Sequence, residues 1–347
     1  MAKECCSQTD SCCSGSVEDT LNTNGVLTVS TTITKCDVFG AMKARWGIGR
    51  MDYAIESGLY AVGNPDGDSP VLVSANYKLT FDTLRKNLKN LDCWLLILDT
   101  KGVNVWCAAG KGTFGTDELV NRIEIVELAK KVNHRKLILP QLGAPGISAH
   151  EVAERSGFTV MYGPVRADDI QAYLSDGNKA TKEMRTVKFT LWDRLILTPM
   201  ELAEVAKIAM LVFGVLFLIN LFAIRPFGMN DFLAYVSSVL IGAVITPILL
   251  PFIPGRAFAF KGWLLGAIGT ACIAWWFGWF APSELLLGIG YMLLLPAHAS
   301  FLAINFTGAS TYTSPAGVLK EMKIALPLII LSTLVGAVLI LIKAFVG

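Results

Sequence analysis

Hydrophobic and polar residues follow two different patterns along this chain. Up to about Pro199, short apolar runs alternate with mixed segments. Gly58–Val62 and Val71–Ser74 read as short strands. Phe81–Leu91 reads as a helix with Leu84, Leu88 and Leu91 on one face. Trp94–Leu98 is a continuous apolar run, as expected of a parallel strand buried on both faces. Thr116, followed by Asp117 and Glu118, reads as the N-cap of a helix to Lys131. Lys136–Leu139 is the next strand. Ser148, with Glu151 at the capping-box position, opens a helix to Arg155. Phe158–Tyr162 reads as a strand and Ala167–Leu174 as a helix. This alternation predicts an α/β domain with a parallel sheet covered by helices. Ligands of such sheets bind at the carboxyl ends of the strands.

Beyond Met200 the pattern changes. Five apolar stretches are long enough to cross a bilayer, at Ile208–Ile224, Leu233–Ile253, Gly262–Ala281, Leu285–Asn305 and Ile324–Phe345. Only 12 of the last 148 residues are charged, about 8%, against about 23% before them. Mean hydropathy over the whole chain is +0.52, too apolar for an ordinary soluble protein. A net charge of +2 excludes a strongly basic nucleic-acid binder.

Lys and Arg set the expected orientation. Arg194, Lys207, Arg256, Lys261, Lys320 and Lys323 fall on one side of the spans; Arg225 and Lys343 fall on the other. This predicts a multi-pass protein of the cytoplasmic (inner) membrane, surrounded by membrane lipid, with the soluble half in the cytoplasm and the C-terminus outside. Within the spans His298 is the one ionisable group near mid-depth. It is either a functional group or a side chain hydrogen-bonded between helices beside Pro296. Gly266, Gly269, Gly288 and Gly290 are expected to let helices pack closely.

Met1–Thr20 lacks the apolar core of a secretory signal. The eight cysteines are therefore expected to stay reduced, as free thiols, metal ligands or one functional residue. Cys93 begins a buried strand and reads as inert. Cys5, Cys6, Cys12 and Cys13 sit among Ser, Thr, Gly and Asp in an N-terminus expected to be disordered. Two readings stay open for them: a soft-metal trap for Hg(II), or a tail whose thiols do nothing specific.

The loops at the expected strand ends carry the candidate chemistry. Asn104–Thr116 holds Trp106, Cys107, Ala108, Gly110, Lys111, Gly112, Thr113 and Phe114, and is read as a loop between strand and helix. Gln141, Gly143 and Ala144 follow the next strand, and Tyr162, Gly163 and Pro164 the one after. Each loop contains glycine, so backbone can approach a large flat ligand closely. The Gly110–Gly115 run lacks the Gly-Lys-Ser/Thr order of a phosphate-binding loop, and no GxGxxG opens a helix there.

Gly58–Pro65, Ser69–Tyr77 and Leu98–Gly102 resemble the corrinoid-binding domain of the corrinoid iron–sulfur protein of the acetyl-CoA pathway. Asn104-Val105-Trp106-Cys107-Ala108-Ala109-Gly110-Lys111 resembles the signature of a narrower family, the mercury-methylating corrinoid proteins, which join such a domain to about five membrane spans. The resemblance implies a Rossmann-like domain that binds cobalamin, with Cys107 as a lower axial thiolate on cobalt. It implies methyl transfer to Hg(II), giving methylmercury. It also implies two protein partners: a ferredoxin-like protein with two [4Fe–4S] clusters, and a folate-linked methyl donor.

A thiolate makes the cobalt electron-rich, and axial-ligand identity is a main lever on a metal's electronics. Hg(II) is a soft acceptor. The chain departs from the corrinoid iron–sulfur protein in having no CxxC spacing, so no cluster is expected here. The Asp-x-His-x-x-Gly fingerprint of many cobalamin proteins is also missing from His134, His150 and His298. The expected organisation is an N-terminus at 1–35, a corrinoid-binding domain at 36–180, a linker at 181–205 and an all-α membrane domain of five helices at 206–347. Two other readings stand beside mercury methylation. One is a membrane-bound corrinoid methyl carrier for another acceptor in one-carbon metabolism. The other is a transporter or scaffold whose soluble domain senses cobalamin.

Overall fold

The apolar run from Cys93 lies at the centre of a sheet, and its alternate side chains face opposite ways. Trp94, Leu96 and Leu98 enter one core, and Cys93, Leu95 and Ile97 enter the other. Both faces of this strand are therefore covered, which is why its sequence does not alternate. The computed structural model describes residues 17–21, 25–220, 228–309 and 315–346. Cys5, Cys6, Cys12 and Cys13 lie outside them. The chain divides into two units, the first reaching Val187 and the second beginning at Lys188, with Arg45–Gly47 grouped with the second.

Among the described residues the first unit holds seven strands: β1 (Val17–Leu21), β2 (Leu27–Val29), β3 (Gly58–Val62), β4 (Val71–Ala75), β5 (Cys93–Leu98), β6 (Lys136–Leu139) and β7 (Thr159–Tyr162). Their order across the sheet is β1-β2-β3-β5-β4-β6-β7. β5, β4, β6 and β7 are mutually parallel, as the alternating pattern predicts. The sheet as a whole is mixed, because β3 runs antiparallel to β5. The connection from β3 to β4, Gly63 to Pro70, has no room for the helical crossover that parallel strands require. β1 and β2 pair antiparallel within the polar stretch expected to be unstructured. β2 then joins β3 in parallel at Thr28 and Ala61. β1 is a five-residue edge strand and β2 has three residues, too short for a periodic apolar signal.

Among the described residues this unit has seven α-helices: α1 (Lys35–Arg45), α2 (Lys78–Arg85), α3 (Val105–Lys111), α4 (Thr116–Ile125), α5 (Leu128–Lys131), α6 (Ala149–Ser156) and α7 (Ile170–Ser175). The helix expected at 116–131 is broken at Glu127, whose φ is +49°. Gly115, not Thr116, takes the N-cap of α4. The Thr116 hydroxyl instead accepts the Ser148 N–H at 2.8 Å. Ser148 is the N-cap of α6 but makes no side-chain cap bond, so the expected capping box with Glu151 does not form.

The second unit contains α8 (Leu191–Leu195), α9 (Thr198–Asn220), α10 (Met229–Leu240), α11 (Thr246–Leu249), α12 (Phe258–Trp276), α13 (Leu285–Asn305) and α14 (Pro315–Val346). A π-helical turn at Ile241–Ile245 joins α10 to α11. Among the described residues four helical segments are long and apolar enough to cross a membrane: Met229–Leu249, Phe258–Trp276, Leu285–Asn305 and Ala316–Ala344. The fifth expected span, Ile208–Ile224, begins in α9 and runs past the described residues. The glycines act as expected. A Cβ on Gly266 would lie 2.9 Å from the Ala299 side chain and from the Pro296 backbone. One on Gly290 would lie 2.7 Å from Ile340. His298 stacks on Tyr235 at 4.9 Å, and its Nδ1 is 3.2 Å from the Ser238 hydroxyl.

Candidate functional site

Parallel strands β5, β4, β6 and β7 follow one another in the chain as β4, β5, β6, β7. The chain therefore leaves β4 in one direction and returns to β4's other side. Such a reversal opens a crevice at the carboxyl ends of the strands. A cavity of about 390 Å³ occupies that position. Ser74 and Tyr77 come to it from the end of β4, Pro140 and Leu142 from the end of β6, and Gly163 to Ala167 from the end of β7. α2 supplies one wall through Leu79, Thr80 and Thr83, and Asn104, Val105 and Trp106 supply another.

Asn76 ties the loops around this crevice together. Its Oδ1 accepts from Thr100 N–H at 3.1 Å, Thr100 Oγ1–H at 2.8 Å and Gly102 N–H at 3.1 Å. Its Nδ2 donates to Asp99 at 3.2 Å. The loops after β4 and β5 are thereby joined by one buried side chain. Gly102 has φ +67°, and a Cβ there would sit 2.9 Å from the Met51 carbonyl oxygen.

The segment read as a loop at 104–116 is helical over most of its first half, as α3. Asn104 is its N-cap, and Asn104 Oδ1 accepts the Cys107 N–H at 2.9 Å. Gly112, at φ +79°, ends the helix. The glycine content suggests a loop, but Ala108 and Ala109 favour helix and the cap supplies its start. Cys107 is half-buried on the first turn, next to Trp106, which is 39% exposed. Cys107 does not itself line the crevice.

The other sequence-predicted residues separate by role. Asn104, Trp106, Gly163 and Pro164 meet in the crevice. Ala108 and Phe114 are fully buried in the core. Gly143 packs on Phe114, where a Cβ would lie 2.5 Å from the ring. Gly110 and Lys111 are exposed at the end of α3, while Thr113 and Ala144 are half-buried. Tyr162 donates its hydroxyl hydrogen to the Ile147 carbonyl at 3.2 Å. Gly112 borders a separate open cleft of about 510 Å³ with Gly115, Thr116 and Gly146. Gln141 holds a buried Oε1 that has no hydrogen-bond partner.

Tyr77, Thr80, Thr83 and Arg166 are crevice residues that the sequence reading did not select. The position of β4 as a strand already implied a ligand-facing loop at Ser74–Tyr77. Its polar residues merge directly into α2, which hides the loop. Cys93, the thiol carried by β5, is fully buried. Burial, with the Asp92 carboxylate beside it, pushes its pKa up to about 12, so it remains a protonated, inert thiol.

This geometry agrees with comparisons to known proteins. Residues 21–174 match the family model of the CO dehydrogenase/acetyl-CoA synthase delta subunit. The matched segment covers the strands and helices that form the crevice. The chain is also similar to the acetyl-CoA decarbonylase/synthase complex subunit gamma of Methanocaldococcus jannaschii, at 34% identity over 139 residues. That alignment takes in 39% of this chain and 28% of the relative. The subunit gamma of Methanopyrus kandleri is 34% identical over 122 residues, covering 35% of this chain and 26% of the relative. That of Archaeoglobus fulgidus is 33% identical over 127 residues, covering 36% and 27%. The chain thus spans about a quarter of the length of these relatives, and the family match falls within the α/β unit.

Proposed function

We propose that this chain is a membrane-held corrinoid methyltransferase that passes a methyl group to Hg(II), with the corrinoid held at the strand-end crevice. The observation that carries this reading is the crevice itself. It lies at the reversal of strand order and is walled by the helix that presents Cys107 one residue from Trp106. The family match over residues 21–174 and the Asn104–Lys111 segment support it.

The residues present suit a large, flat, amide-rimmed ligand. Gly163 brings backbone to the crevice without a side chain in the way, and Trp106 offers a partly exposed ring. A bound corrinoid supplies a methyl group carried on cobalt. Asn104 fixes the first turn of α3, so Cys107 is offered from a rigid element as a soft sulfur donor. A ferredoxin-like protein with two [4Fe–4S] clusters and a folate-linked donor protein would restore the reduced and methylated states. The soluble unit faces the cytoplasm in this reading.

A second reading has its own support. The relatives are subunits of the acetyl-CoA decarbonylase/synthase complex, so this chain would be a membrane-bound corrinoid methyl carrier for another acceptor. Cys107 separates the two. We expect Cys107→Ala to fold and to take up corrinoid, yet to lose mercury methylation by about 100-fold or more, beyond the usual cost of altering a residue one step from a metal. Cys107→His is expected to bind corrinoid and methylate poorly, because imidazole donates less charge. Cobalamin absorbance of the purified chain, beside methylmercury formation, checks both. Full activity of Cys107→Ala would remove the mercury-specific reading and leave the carrier. Failure of the unaltered chain to take up corrinoid would remove both.

A further inference from the structure

Helix α1 carries its apolar side chains outward. Its exposed positions are Lys35, Val38, Phe39, Met42 and Lys43, the i, i+3, i+4, i+7 and i+8 spacing of one helical face. Val38, Phe39 and Met42 are 60%, 46% and 51% exposed, and Ile48 and Met51 just beyond are 59% and 67% exposed. The inward side holds small residues, Ala44 among them, and one carboxylate. Asp37 faces in, where Lys78 and Arg85 bind its two oxygens at 2.6 and 2.7 Å. An apolar face turned outward and rimmed by charge marks an interaction surface.

Two observations say what covers it. The first is charge. Lys35 and Lys43 stand on the same face, and Lys43 Nζ lies 5.7 Å from the centre of the Phe39 ring. A hydrocarbon surface with ammonium groups at its edge matches the boundary between acyl chains and anionic head groups. Between residues 35 and 55 Asp52 is the one exposed acid. The second is tethering. The same chain carries four helices able to cross a membrane, so a lipid surface is always within reach at high effective concentration.

We propose that this face of α1 docks on the surface of a bilayer containing anionic lipid. Val38, Phe39 and Met42 enter the acyl boundary, and Lys35 and Lys43 lie among the head groups. The Asp37 ion pairs join α1 to α2, which walls the crevice, so docking also fixes one side of the ligand site.

The test uses the full chain in lipid nanodiscs, with a benzophenone amino acid at Met42 and, in a second variant, at Val38. Discs contain phosphatidylcholine alone or mixed with phosphatidylglycerol. On illumination the expected products are covalent lipid adducts, found by mass spectrometry and more abundant with phosphatidylglycerol. Lys35→Glu with Lys43→Glu should lower the adduct yield by about 30-fold, since each of the two basic residues near an anionic surface contributes on the order of 1 kcal/mol. Hydrogen exchange in β5 reports whether each variant keeps its fold. If both probe positions give only protein adducts, whether to a second copy, another protein or this chain, the proposal is overturned. Absence of any adduct at both positions, with β5 protected, overturns it as well.

Discussion

Asp37 shows how much one buried carboxylate can contribute to the α/β unit. Lys78, Asp82, Arg85 and Asp37 form four ion pairs between 2.6 and 2.7 Å, with all four side chains nearly withdrawn from water. Arg85 also donates to the Ser30 and Thr32 carbonyls at 2.6 and 2.7 Å. Burial pushes the Asp37 pKa up, but hydrogen bonds from Lys78 and Thr34 outweigh it and bring the value from 3.8 down to about 2. The unfolded carboxyl keeps its ordinary value. The folded state is therefore favoured above about pH 4, by about 2 kcal/mol, and loses that advantage as pH falls toward 2. Asp37→Asn should flatten this acid limb. It should also cost about 3–5 kcal/mol at neutral pH, because Lys78 and Arg85 are left undercompensated. Hydrogen exchange of β5 in the full chain, followed from neutral to acid pH, measures both effects. An unchanged acid limb in the variant would show that other carboxylates control it.

At the scale of elements, the candidate site depends on the fit of α3 against the turn at Gln141–Gly146. A Cβ on Gly146 would lie 2.2 Å from the Phe114 carbonyl oxygen and 3.0 Å from the Ala109 Cα, both backbone atoms that cannot swing aside. Gly146→Ala should therefore push the turn off α3 and destabilise the unit by about 1–3 kcal/mol. Cobalamin uptake should weaken with it, because both walls move. Gly110→Ala is the matched control. Gly110 lies inside α3 with open space around it, so alanine there should be neutral or stabilising by up to about 1 kcal/mol. Thermal unfolding and cobalamin titration of the two variants would separate close packing from helix propensity. Equal behaviour would mean that the contact between the turn and α3 has no role in the site.

For the whole molecule the open quantity is the number of crossings. α9 carries Glu201, Glu204 and Lys207 in its first half and is apolar from Ile208 onward. We expect it to continue as a fifth span. An odd count places the soluble unit and Gly347 on opposite sides, and an even count places them on the same side. With the α/β unit in the cytoplasm, as proposed, a reporter active only outside the cytoplasm and fused after Gly347 should be active. A cytoplasm-only reporter active at that position would show four crossings and leave α9 at the membrane surface. The polar contacts inside this unit, Ser238 with His298 and Ser300 with the Ala259 carbonyl, link helices to one another. Burial of such groups between helices satisfies them where lipid cannot.

Periodicity and composition by themselves determined the large divisions of this protein. A continuous apolar run announced β5, because a strand covered on both faces has no polar side. Long uncharged runs announced the helices long and apolar enough to cross a membrane, because hydrocarbon disfavours charge. The spacing of Trp94–Leu98, Lys136–Leu139 and Phe158–Tyr162 pointed to strand ends as the place for a ligand, and the Asn104–Lys111 segment stood out as unusual. Other features depended on contacts between distant residues. β3 turned antiparallel because its link to β4 is too short for a crossover. β1 and β2 are strands because they pair, not because their residues are apolar. α3 became a helix through one capping side chain, and Asn76 joined two loops that lie far apart in the chain. Asp37 lies 41 and 48 residues before Lys78 and Arg85 in the chain. Only folding brings them into one buried network, and that network turns the apolar face of α1 outward.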